Sequence, residues 1–93
     1  MINVYILAHF DWYGSIEELE KVAKKLKEIF NGSKGVEFLG RFGPQNRKFH
    51  WTHFYMAKDF VTWVTEYESA DWSWFNYDRK VHTHEILEYY VDA

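Results

Sequence analysis

The sequence predicts an α+β fold in which strands and helices follow the order β-α-β-β-α-β. Three observations support this order: segments in which apolar residues alternate, two segments in which apolar residues recur at helical spacing, and turn-forming residues between them. The chain has 93 residues, of which 47% are hydrophobic. We therefore expect a single domain spanning residues 1–93, small enough that burial against a partner would add stability.

The first strand and the first helix are predicted from the amino-terminal third of the chain. Apolar residues alternate from Ile2 to Phe10, which gives this strand one aliphatic face and one mixed face. A turn is predicted at residues 11–14. Ser15 and Glu18 have the spacing of a capping box, and the apolar residues that follow, as far as Phe30, have the spacing of one helix face.

The remaining elements follow in the same way. Alternation predicts a second strand from Val36 to Phe42, and a Gly-Pro loop separates it from an aromatic third strand from Lys48 to Ala57. Asp59 is a suitable helix cap, and apolar residues from Phe60 to Tyr67 recur at helical spacing. Alternation returns from Lys80 to Val91, which predicts the fourth strand.

This order is that of the ferredoxin-like βαββαβ fold. Right-handed crossovers then give a four-stranded antiparallel sheet in the order 4-1-3-2, with both helices on one face. The other face would carry Tyr5, Leu7 and Ile86. Because such a face is too apolar to remain in water, we expect a homodimer that forms through the open sheet face.

A resemblance to a known family agrees with this expectation. Residues Gly35–Phe42, the hairpin and aromatic strand after them, and residues Asp59–Trp63 resemble small uncharacterised members, domains of unknown function, of the dimeric α/β-barrel superfamily. The likeness extends from Met1 to Glu88. The resemblance implies two sheets packed face to face, with a cleft between sheet and helices or between the two sheets.

Composition excludes several classes of function. The net charge is −3, and the lysines of the first helix alternate with glutamates, so the chain has no concentrated basic surface for nucleic acid. No apolar run approaches the roughly 20 residues that cross a bilayer, and the amino terminus lacks the pattern of a secretory signal. We therefore expect a cytoplasmic protein with no membrane partner. Cysteine is absent, which excludes thiol nucleophiles, and no cofactor is predicted.

Aromatic residues make up 22% of the chain, more than a core of this size needs. Some of them should therefore line an interface or a pocket. For Trp12, Trp51, Trp72 and Trp74 two interpretations stay open, the lining of an apolar pocket and ordinary core or dimer contacts.

Histidine provides the candidate chemistry. Antiparallel pairing of the first and fourth strands should bring four histidines to one end of the sheet: His9, His50, His82 and His84. His9, His82 and His84 are the catalytic candidates, because imidazole titrates near neutral pH. The predicted ligand-binding residues are Tyr5, His9, Arg41, His50, His82 and His84. Arg41 has two interpretations, one with a carboxylate ligand and one with an ion pair to Glu37, Glu85 or Glu88.

Two further interpretations concern the histidines. His82 and His84 could chelate a metal, but spacing fixes no third ligand, so no metal site is predicted. His53 has the opposite strand parity to His50, which predicts a core position facing the helices. The sequence therefore predicts a small dimeric protein that binds or transforms a small, partly apolar molecule in a cleft lined by histidine and aromatic residues. The alternative is a structural or interaction homodimer without catalytic activity, and whether the chain is an enzyme stays open.

Overall fold

The computed structural model describes residues 3–43 and 51–92, and within them the predicted order of elements is confirmed. Residues 1, 2, 44–50 and 93 lie outside the described ranges, and with them lies His50. The elements are β1 (Asn3–Trp12), α1 (Ile16–Ile29), β2 (Val36–Phe42), β3 (Trp51–Ala57), α2 (Phe60–Ser69) and β4 (His82–Asp92).

The four strands form one antiparallel sheet in the order β2-β3-β1-β4. This is the predicted order 4-1-3-2 counted from the opposite edge, and it is compatible with a ferredoxin-like fold. The two central strands are β1 and β3. Every second residue of β1 from Val4 to Trp12 is buried, as expected for a strand of an antiparallel sheet that packs one face against the core.

Both helices begin at the predicted caps. The hydroxyl of Ser15 accepts a hydrogen bond from the Glu18 backbone N–H at 3.1 Å, and the carboxylate of Asp59 accepts one from the Thr62 N–H at 2.7 Å. Each bond satisfies a donor that the first turn of a helix leaves without a partner. The hydrogen bonds from Thr62 lower the pKa of Asp59. Neither helix of the described ranges is long and apolar enough to cross a membrane.

The core lies between the two helices and one face of the sheet. Leu19, Val22 and Leu26 face it from α1, and Trp63, which is 2% exposed, faces it from α2. These four side chains belong to the same buried cluster as the alternate residues of β1. The helices therefore cover one face of the sheet, as predicted, and leave the second face open.

The predicted turn at residues 11–14 begins too early. Asp11 and Trp12 continue β1, because they pair with Thr83 and His82 in β4. Trp12 is 5% exposed, and its indole N–H donates a hydrogen bond of 2.9 Å to the Ser15 carbonyl. Burial of this large ring and the extra pairs with β4 extend the strand by two residues beyond the alternation seen in the sequence.

Candidate functional site

A cavity of about 310 Å³ lies between the helix-covered face of the sheet and α1. Ala8 is the smallest of the inward-facing residues of β1, and it lies between Ile6 and the larger Phe10. We attribute part of the open volume to this short side chain. Strand, helix and loop residues line the cavity together: Ala8, Phe10, Trp12, Leu19, Val22, Leu26, His53, Tyr55, Tyr67, Trp72, Trp74, Phe75 and His82.

One wall comes from residues 70–81, the aromatic segment that connects α2 to β4. It contributes Trp72, Trp74 and Phe75 to the lining. Near its start, the Trp72 indole N–H donates to the Tyr67 carbonyl at 2.8 Å. At its end, the Tyr13 N–H donates to the Val81 carbonyl at 2.7 Å. The segment has neither helical nor strand structure, yet hydrogen bonds hold both of its ends against the domain.

The aromatic side chains of this wall contact one another. The rings of Trp72 and Trp74 have centroids 5.8 Å apart, and those of Trp74 and Phe75 are 5.6 Å apart in an edge-on arrangement. Such offset and edge-on contacts are the favoured geometries of aromatic pairs. Of the four tryptophans with two open interpretations, Trp12, Trp72 and Trp74 line the cavity, whereas Trp51 is not part of its lining.

Two imidazoles reach the cavity from strands on opposite sides of β1. His53 of β3 pairs with Ala8, and His82 of β4 pairs with Trp12. The ring of Phe10 contacts both, with centroid distances of 4.5 Å to His53 and 5.4 Å to His82. The core position predicted for His53 is confirmed, since it is 6% exposed. The sequence did not indicate that this core position borders a cavity.

Two phenols complete the polar part of the lining. Burial raises the pKa of Tyr55, and the nearby Tyr67 raises it further. Burial also raises the pKa of Tyr67, with a smaller contribution from Tyr89. Both hydroxyls are therefore uncharged at neutral pH and can donate or accept hydrogen bonds. Neither phenol was among the predicted site residues, because the aromatic pattern of β3 and α2 is equally typical of a core.

The predicted convergence of His9 with His82 is wrong. His9 lies on the open face, where its Nδ1 is 2.8 Å from the Thr52 hydroxyl and its Nε2 is 2.5 Å from a carboxylate oxygen of Glu88. His82 lies on the helix-covered face, among the cavity residues. A register shift in β4 causes the separation: His9 pairs with position 86, and the next residue of β1 pairs with position 84.

The shift also changes the interpretation of His84. By register His84 is opposite Phe10, whose side chain faces the helices, whereas the sequence placed it with His9. Its side chain lies outside the described part of the chain, as does all of His50. The participation of these two residues in a site stays a prediction.

Tyr5 and Arg41 do not belong to the described lining of the cavity. Tyr5 is on the open face, where its ring stacks on Phe54 with centroids 5.8 Å apart. Arg41 forms an ion pair with Glu20 of α1, and its guanidinium lies 4.8 Å from the centre of the Trp51 ring. The ion-pair interpretation of Arg41 therefore holds, but its partner is not one of the three predicted carboxylates. Ligand binding by Tyr5, His9 or Arg41 stays a prediction.

The chemistry available in the cavity is that of imidazole, phenol and indole groups. None of the lining residues that the structure describes is Asp, Glu, Lys or Arg. Within residues 3–43 and 51–92, no group of three or more His, Cys, Asp or Glu side chains is arranged so that it could hold a metal ion. The site therefore combines an apolar, aromatic wall with a few neutral or weakly basic polar groups.

Comparison with known proteins adds no assignment. No protein-family model, no curated protein and no solved structure matches the chain at significant similarity. The resemblance to the dimeric α/β-barrel superfamily consequently stays a prediction, and the geometry of the chain itself has to carry any functional conclusion.

Proposed function

We propose that this protein binds a small, largely apolar molecule in the cavity between α1, the sheet and the aromatic segment. The proposal rests on the lining of the cavity, where apolar walls and a few convergent polar groups border a volume of about 310 Å³. Small-molecule sites have this character, with apolar walls for affinity and few polar groups for orientation, and their volumes begin at about 300 Å³.

His53 and His82 give the proposal its chemical content. Both imidazoles border an otherwise apolar space, so either can orient a polar group of the bound molecule. An imidazole beside a bound substrate can also transfer a proton near neutral pH. Turnover of the bound molecule at one of these rings is the enzymatic form of the same proposal.

The test is binding of naphthalene, an uncharged two-ring probe, measured by ligand-observed NMR. Ala8→Leu adds volume at the cavity floor and should weaken binding by about tenfold or more, because the added methyl groups occupy the space of the ligand. Leu7→Phe adds volume at the neighbouring position on the open face and should leave affinity unchanged. Absence of binding to the wild type, or equal weakening by both variants, would contradict the proposal.

A second candidate function concerns the open face, and a specific observation favours it. Side chains from all four strands form a connected row there: Phe42 contacts Phe54, Phe54 contacts Tyr5, and Tyr5 contacts Tyr90, with centroid distances of 5.7, 5.8 and 6.0 Å. Phe42 is 43% exposed and Tyr90 is 62% exposed. Contiguous exposed apolar surface of this kind is typical of an interaction site.

We propose that a second copy of the chain covers this row. Two ferredoxin-like sheets would then pack face to face as in a dimeric α/β barrel, and the small single core would gain buried surface. Leu7 lies in the same face as Tyr5 and is only partly buried in the single chain. The two proposals are independent, because the cavity and the row lie on opposite sides of the sheet.

Light scattering at high micromolar concentration tests the dimer. The wild type should have twice the mass of one chain, and Leu7→Glu should shift it toward one chain by placing two charges in the shared layer. Lys24→Glu, on the exposed side of α1, is the matched control and should leave the mass unchanged. A wild type with the mass of a single chain would refute the dimer.

A further inference from the structure

We infer that the cavity selects uncharged molecules of two fused aromatic rings that carry a hydrogen-bond acceptor, an inference that rests on the proposed binding function. Four features of the lining support it: its volume, its aromatic walls, its lack of formal charge and the state of one indole nitrogen. Each feature restricts the ligand in a different way.

Volume and walls restrict size and shape. A cavity of roughly 150 Å³ lined by aliphatic and aromatic side chains accepts one benzene ring, and this cavity of about 310 Å³ has about twice that volume. Its walls contain the rings of Phe10, Trp12, Trp72, Trp74 and Phe75. Flat aromatic molecules gain offset and edge-on contacts with such walls that a branched aliphatic molecule of the same volume does not.

The lining restricts charge. No carboxylate, ammonium or guanidinium belongs to the described lining, so a charged ligand would lose its hydration without gaining an ionic partner. Arg41 is opposite His53 by register but is not part of the described lining, and it forms an ion pair with Glu20 and lies over the Trp51 ring. Desolvation therefore disfavours both anions and cations relative to a neutral molecule of the same shape.

The indole of Trp74 restricts polarity. An indole N–H can donate a hydrogen bond but cannot accept one. The Nε1 of Trp74 is buried and has no hydrogen-bond partner among the described residues. The comparable nitrogen of Trp72 is bonded to the Tyr67 carbonyl, and that of Trp12 is bonded to the Ser15 carbonyl. Trp74 belongs to the cavity lining, so a ligand whose acceptor reaches this nitrogen would satisfy a donor that is costly to bury alone.

The experiment compares four probes that share a core of two fused six-membered rings by NMR titration at pH 8. Quinoline differs from naphthalene by one ring nitrogen, an acceptor, and should bind about 3- to 10-fold more tightly, the gain expected from one hydrogen bond. The anion 2-naphthoate and the cation 2-naphthylmethylammonium should each bind at least about tenfold more weakly than naphthalene. A tighter complex with either ion, or no preference for quinoline, would overturn the inference.

Trp74→Phe tests the assigned donor. This variant should lose the preference for quinoline over naphthalene, whatever its affinity for naphthalene, since the phenyl ring has no N–H to donate. Trp51→Phe, a tryptophan outside the lining, is the matched control and should keep the preference. If Trp74→Phe retained the preference for quinoline, a group other than the Trp74 N–H would be the donor to the ligand, and the assignment would be refuted.

A measurement on the wild type keeps the test decisive if Trp74→Phe does not fold. Of the five indole N–H resonances that the five tryptophans should give, one should move downfield with quinoline and not with naphthalene. Uniform small shifts would contradict donation to the ligand. Failure of naphthalene and quinoline alike to bind would refute the proposed function, whereas binding of both without discrimination would refute only this inference.

Discussion

On the helix-covered face of the sheet, the inward residues of β1 are between 0% and 8% exposed, and aromatic rings pack around a cavity. On the opposite face, the same strand presents Tyr5, Leu7 and His9, and only His9 is buried. Polar side chains there form a hydrogen-bonded group of His9, Thr52 and Glu88, and aromatic rings remain exposed. One strand thus supplies two surfaces with different physical requirements.

The two faces therefore differ in role: we expect the covered face to provide stability and the open face to provide a surface for association. The covered face combines a packed core near α2 with an open volume near the aromatic segment, so truncation should be costly in the first and tolerated better beside the second. The open face gains little from its aromatic row while it faces water, and the gain would come from association.

Trp63→Ala should lower the free energy of unfolding by about 3–5 kcal/mol, the usual cost of truncating a fully buried large aromatic residue. The ring contacts Tyr55 and Tyr67 at centroid distances of 5.1 and 4.8 Å, at 2% exposure. Chemical denaturation provides the measurement. Lys24→Ala, on the exposed side of α1, is the control and should stay within about 0.5 kcal/mol; equal midpoints would show that α2 is not the anchor of the covered face.

His9→Ala tests the polar group of the open face and should lower stability by about 1–3 kcal/mol, because the buried Thr52 hydroxyl loses the imidazole that it bonds. Glu88→Gln keeps an oxygen acceptor at an exposed site and should cost less than about 1 kcal/mol. Urea denaturation of both variants at several protein concentrations separates these effects from association, because association makes the midpoint depend on concentration. If the larger loss came from Glu88→Gln, the buried partner would not be the important one.

Tyr55 makes the covered face sensitive to alkaline pH. Burial raises the pKa of Tyr55, so above about pH 10 the unfolded chain loses a proton that the folded chain retains. The contribution of Tyr55 to stability should therefore be constant below about pH 10 and fall as pH rises further. Tyr55→Phe should reduce the slope of stability against pH, whereas the control Tyr13→Phe, at an exposed site, should not. Chemical denaturation at pH 8, 10 and 11 provides the measurement. An unchanged slope in Tyr55→Phe would show that Tyr55 is hydrated in the folded protein.

The smallest expected effect on stability concerns the helix cap Asp59 and occurs at acidic pH. Hydrogen bonds from Thr62 lower the pKa of this cap, so its stabilising contribution is present above about pH 4 and is lost as pH falls through the lowered value. Asp59→Asn keeps a capping oxygen and should match the wild type at pH 7 while losing that part of the acid dependence. Thermal melts monitored by circular dichroism from pH 7 to pH 3 would show the difference; parallel curves would contradict it.

Much of the fold could be predicted because its signals are local. Ser15 and Asp59 start their helices by bonds to residues three positions away, and the inward face of β1 follows from alternation alone. The candidate site was harder to predict. Tyr55 and Tyr67 have the pattern of core residues, and nothing local distinguishes a filled core from one that leaves a cavity.

The histidines illustrate what only the tertiary structure decides. The sequence by itself determined the order of strands, the antiparallel pairing of β1 with β4 and the face of β1 on which His9 lies. It did not determine on which face of the sheet each side chain of β4 lies, because the register with β1 shifts between His9 and Phe10. A shift of one residue moves every later side chain to the other face of a sheet. For that reason His82 borders the cavity while His9 lies on the open face.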